Sequence, residues 1–124
     1  MKKILLLDDS LDIIQIVEEV LSYEHFKVKS LTDTQKFFEI VESFAPELII
    51  LDYKLSDESG GEICRKIKAD PDLKDIPVII FSAYTQPGLD FKAFGCDAFI
   101  AKPFDLQELV DTISELLTEK YVNN

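Results

Sequence analysis

Five short apolar runs punctuate the chain: KILLL (3–7), FKVKSL (26–31), ELIIL (47–51), IPVIIF (76–81) and DAFIA (97–101). Three are nearly all aliphatic, as expected of strands in a parallel sheet covered on both faces. FKVKSL alternates apolar with polar residues, which predicts an edge strand whose lysines discourage pairing with another chain. Between the runs the spacing changes to that of helices. Residues 11–24 bring Ile13, Val17, Val20 and Leu21 onto one face, and residues 34–45 do the same with Phe37, Ile40, Val41 and Phe44 before Pro46. Residues 60–69 carry Ile63 and Ile67. Residues 104–119 carry an apolar stripe from Leu106 to Leu117, with Asp105 and Glu108 spaced as a capping box. Pro87 and Gly88 break the segment 83–96, which predicts only a short helix near 89–94. Five βα units in one run imply an α/β domain over residues 1–124, a doubly wound five-stranded parallel sheet.

Composition narrows the function more than the fold. A chain of 124 residues with 47% apolar and 30% charged residues suits one globular domain with one core. No apolar run approaches the roughly 20 residues of a membrane span, so no membrane insertion is expected. The start MKKILLLDDS imitates a secretion signal but lacks a small-residue cleavage site, and its acids arrive too early. A cytoplasmic location follows. The net charge of −11 argues against direct nucleic-acid binding, because the duplex is itself a dense polyanion. Acidic charge here either solvates the surface or is gathered to hold a cation. Cys64 and Cys96 have no paired spacing and read as reduced, partly buried thiols. His25, the single histidine, reads as a surface position at a helix end.

Chemistry-bearing residues follow the strands. Asp8 and Asp9 follow the first, Asp52 the third, Ser82 the fourth and Lys102 the fifth. In a doubly wound sheet ligands bind at the carboxyl ends of the strands, near the point where strand order reverses. Neighbouring strands lie about 4.8 Å apart, so adjacent first and third strands would crowd three carboxylates at one edge. Such a group needs a counter-charge, either a divalent ion or Lys102. Hard oxygen ligands without histidine or cysteine suit Mg²⁺ or Mn²⁺ with several waters retained. Taken singly, each residue has an ordinary structural explanation: helix cap, loop start, turn residue, exposed charge. Jointly they place acids after two inner strands, a hydroxyl after a third and a lysine after a fourth.

The blocks LLLDDS, LIILDYKLSDESGGE, VIIFSA and FIAKPF resemble the signature segments of response-regulator receiver domains from two-component signalling. The resemblance spans nearly the whole chain, and the gaps from Asp52 to Gly60 and from Gly95 to Lys102 fit it. It implies a flavodoxin-like (βα)5 fold with strand order 2-1-3-4-5. Asp52 then matches the phosphoacceptor, charged from a phosphohistidine on a sensor histidine kinase or histidine phosphotransfer protein. Asp9, Asp52 and the backbone carbonyl of Lys54 match the direct metal ligands, and Asp8 the acid that acts through water. Lys102 matches the lysine that pairs with the phosphoryl oxygens, with a cis bond to Pro103. Ser82 matches the hydroxyl that moves toward the phosphoryl group, and Phe99 the aromatic that turns inward with it. Together they would switch a protein-binding surface between the fourth and fifth helical segments.

The chain is therefore read as a single-domain response regulator, a switch and not a turnover enzyme, acting on a downstream protein effector. Ser56 stands where the family often has proline, and the stretch from Ser82 to Gly95 is shorter than usual. Lys54 and Tyr84 flank the expected path of an attacking water, which implies a slowed hydrolysis. The alternatives fit less well. A flavin module would want a Ser/Thr/Gly-rich phosphate loop where DDSLD stands, and a haloacid-dehalogenase-type hydrolase would separate its two acids by a spacer. A degenerate receiver, serving only as a phosphorylation-independent interaction module, would be expected to lose an acid or the lysine.

Overall fold

Aliphatic runs too apolar to face water become the centre of a sheet. The computed structural model describes residues 1–55, 57–83 and 90–122, with side chains through Thr118. Ser56 and residues 84–89, which include Tyr84, Pro87 and Gly88, lie outside the described residues. In chain order the elements are β1 (Lys3–Leu7), α1 (Leu11–Tyr23), β2 (Lys27–Leu31), α2 (Phe37–Phe44), β3 (Leu48–Asp52) and α3 (Gly60–Ala69). There follow β4 (Val78–Ser82), a 3-10 helix (Phe91–Phe94), β5 (Ala98–Ala101) and α4 (Leu106–Val122).

The five strands are all parallel, in the order β2-β1-β3-β4-β5. FKVKSL supplies an edge strand, as its alternation predicted, and every residue of β3 and β4 is buried. Alternation along the strands divides the core between two faces. Ile4, Leu6, Ile50 and Phe81 pack with α1 and α4, while Leu5, Leu7, Leu51 and Ile80 pack with α2, α3 and the 3-10 helix.

Local chemistry explains most of the element ends. Ser10 caps α1 by accepting from the Ile13 amide at 3.3 Å, and Ser59 caps α3 by accepting from Glu62 at 3.1 Å. Asp105 accepts from the Gln107 amide at 2.7 Å and so starts α4 from its own side of the expected capping box. Exposed His25 adopts a left-handed φ of 68° just past α1, where Phe26 donates back to the Leu21 carbonyl. The short helix expected near 89–94 is a 3-10 helix, begun by Asp90 accepting from Lys92 and ended by Gly95 at φ 85°. Its Phe94 ring lies where a β-carbon on Gly61 would come within 2.7 Å, so any side chain there would have to displace that buried ring.

Cys64 is buried and Cys96 partly buried, both as free thiols. Burial pushes the Cys64 thiol up to about 12 and raises that of Cys96, which keeps both protonated. Among the described residues, no helix is long and apolar enough to cross a membrane.

Candidate functional site

The reversal of strand order falls between β1 and β3, and there the acids meet. Register pairs Leu7 with Leu51, so the residues next along the two strands, Asp8 and Asp52, emerge side by side. One ligand atom from each of Asp8, Asp9 and Asp52 lies within 4.8 Å of the others. Asp8 is fully buried, Asp52 is 6% exposed, and Asp9 is exposed. Asp52 and Ser82 are the last residues of β3 and β4, not the first residues after them as the apolar runs suggested.

Lys102 reaches the same point from the end of β5. Its ammonium donates to Asp8 Oδ2 at 3.0 Å and lies 3.4 Å from Asp52 Oδ1. Its backbone amide donates to the Ser82 carbonyl at 2.8 Å, which sets its height above the sheet. Its bond to Pro103 is cis, as the resemblance implied. The ammonium also lies 5.9 Å from the centre of the Phe81 ring, which stacks on Phe104 at 4.6 Å.

The three acids occupy different environments. Asp8 is engaged at both oxygens, one by Lys102 and the other by the Ser10 amide at 2.9 Å. Among the described residues no hydrogen bond or ion pair engages the Asp9 carboxylate, which faces solvent. Burial pushes the Asp52 carboxyl up to about 6, and its neighbour Asp8 adds to the rise. Lys102 partly offsets both effects by attraction and by its hydrogen bond. Three carboxylates with one shared ammonium remain short of positive charge, and an all-oxygen donor set of this kind fits a hard divalent cation.

The remaining predicted residues stand around this centre. Lys54 lies in the loop after β3 with an exposed side chain, and no described hydrogen bond occupies its carbonyl. That loop is drawn in by α3: Gly60 donates to the Tyr53 carbonyl at 2.7 Å, and a β-carbon on Gly60 would lie 2.3 Å from the Asp52 carbonyl oxygen. Ser82 is buried and pairs in register with Ala101. Phe99 is partly buried and stacks on Phe91, with ring centroids 3.9 Å apart.

The cap weighed for Asp8 and Asp9 at the start of α1 belongs instead to Ser10, whose amide also orients Asp8. Sequence reading passed over Phe91 as the partner of Phe99. No local pattern connects two aromatics across a turn.

Known proteins of similar sequence share this fold. The family model described as the response regulator receiver domain matches residues 4–114. The response regulator ArlR of Staphylococcus aureus is 34% identical over 122 residues, covering 94% of this chain and 53% of that protein. Protein RcaC of Microchaete diplosiphon is 31% identical over 113 residues, covering 90% of this chain and 17% of that protein. The chain thus spans about half or less of the length of these curated relatives. A crystal structure of a CheY-like response regulator receiver domain protein from Methanospirillum hungatei superposes with a TM-score of 0.89 at 26% identity, covering 100% of this chain and 99% of that one. With acids at the ends of β1 and β3, a lysine just past β5 and a family match across nearly the whole sheet, the chain belongs to the response regulator receiver domains.

Proposed function

We propose that the chain is a phosphoacceptor switch in which Asp52 takes a phosphoryl group from a phosphohistidine. The observation that carries this reading is the Lys102 ammonium held against both Asp8 and Asp52 inside a three-carboxylate cluster. An Asp52 carboxylate oxygen attacks phosphorus, the P–N bond breaks, and the leaving imidazole takes up a proton. Phosphoryl transfer asks a protein chiefly for positioning and charge neutralisation, and Lys102 is placed to do both. A Mg²⁺ or Mn²⁺ ion, when bound, supplies the further positive charge that offsets repulsion between Asp52 and the phosphoryl oxygens. Asp9, Asp52 and the Lys54 carbonyl would hold it directly. Asp8, with both oxygens already engaged, would act on it through water.

The phosphorylated group then draws the Ser82 hydroxyl toward it by a charge-assisted hydrogen bond, and Phe99 turns into the space released. The donor is a sensor histidine kinase or a histidine phosphotransfer protein. The recipient of the switched surface is a protein effector and not nucleic acid, in keeping with a net charge of −11. The test is incubation with Mg²⁺ and acetyl phosphate, followed by intact mass. A gain of one phosphoryl group that disappears with a chelator and in Asp52→Ala supports the reading. No gain, or a gain that Asp52→Ala leaves untouched, overturns it.

A further inference from the structure

We propose that Phe91 is a latch that holds Phe99 out of the site until the phosphoryl group arrives. The inference rests on the reading of Phe99 as the mobile aromatic and adds a residue that opposes its movement. Phe99 and Ser82 share one face of the sheet: Phe99 pairs with Ile80, two positions before Ser82, and the neighbouring Ile100 packs on the opposite face. On that shared face the Phe99 ring lies against Phe91 at 3.9 Å and 18° between planes. A side-chain rotation that carries Phe99 away from this position must break the stack.

Phe91 is itself held in place. Tyr53, next to the phosphoacceptor, meets it edge-on at 5.4 Å, and the Cys96 thiol donates to its carbonyl at 3.3 Å. The far end of the same 3-10 helix is pinned by Phe94, buried against Gly61. Phe91 is thus a fixed plate between the acceptor loop and the mobile ring. A stacked aromatic pair of this kind biases a two-state equilibrium roughly two- to tenfold.

The test reads Phe99 directly, by NMR of its side-chain rotamer in unliganded protein labelled at phenylalanine. Phe91→Leu keeps apolar bulk but removes the ring face, and should raise the inward Phe99 population roughly two- to tenfold. Phe91→Tyr should restore the wild-type population. By linkage, Phe91→Leu should tighten uptake of beryllofluoride in Mg²⁺ by the same factor, with affinity for Mg²⁺ alone unchanged. Unchanged rotamer populations in folded Phe91→Leu would overturn the latch. Failure of the wild type to take up beryllofluoride would instead count against the phosphoacceptor reading, with the rotamer measurement still deciding the latch.

Discussion

Lys102 is bound more closely to Asp8 than to Asp52, at 3.0 Å against 3.4 Å. The lysine therefore serves chiefly to neutralise a fully buried acid other than Asp52, the proposed acceptor. Removing one member of a buried ion pair strands the other charge. Lys102→Met is expected to cost about 2–4 kcal/mol at pH 7, measured by urea unfolding in chelator, and Asp8→Asn in the same chain should recover most of that loss. A cost below about 1 kcal/mol would mean the pair adds little.

Asp52 carries the opposite sign of strain. Its carboxyl is pushed up to about 6 from 3.8, by burial first and by Asp8 next, so its charged form is disfavoured in the fold. A carboxyl raised in this way contributes stability that is fully present below pH 3.8 and is lost as pH rises through about 6. At pH 7.5 in chelator, Asp52→Asn should be more stable than the wild type by about 1–3 kcal/mol, and the gap should shrink below pH 6. Equal stability at both pH values would count against a strained Asp52 carboxylate.

Asp8 and Asp9 should separate cleanly under mutation. Asp9 is exposed and, among the described residues, unbonded, so Asp9→Ala should weaken Mg²⁺ binding about tenfold or more with little change in metal-free stability. Asp8 holds Lys102 and the Ser10 amide, so Asp8→Ala should destabilise the metal-free fold and weaken Mg²⁺ no more than Asp9→Ala does. Titration of both variants decides it; a much larger Mg²⁺ loss for Asp8 would reverse the two roles.

Lys54 projects into solvent two residues beyond Asp52. If it screens the acyl phosphate from water, Lys54→Asn should shorten the phosphorylated lifetime several-fold, read as decay of the phosphorylated mass. An unchanged decay removes Lys54 from that role.

The sheet was legible because water is excluded from both of its faces: LIIL and VIIF have no polar position to place outward, and both became fully buried strands. The acids were legible for the complementary reason, since carboxylates directly after such runs must sit where the sheet ends. Exact element ends were less so. Asp52 and Ser82 still make ladder pairings, with Phe81 and Ala101, and side-chain polarity does not report on backbone pairing. The helix predicted over 34–45 begins only at Phe37, because Asp33 accepts from the Gln35 amide and holds that stretch in a turn. Contacts between distant aromatics, such as Phe91 with Phe99 and Phe81 with Phe104, depend on how the 3-10 helix and α4 settle on the sheet. No periodicity along the chain encodes them.

The most direct test asks which carboxylate receives the phosphoryl group. Protein treated with acetyl phosphate and Mg²⁺ is reduced with borohydride, which converts an acyl phosphate to an alcohol, and its peptides are weighed. The expected result is homoserine at position 52 alone, absent when Mg²⁺ is chelated. Homoserine at position 8 or 9, or none at any aspartate in protein that has gained phosphoryl mass, would contradict Asp52 as the acceptor.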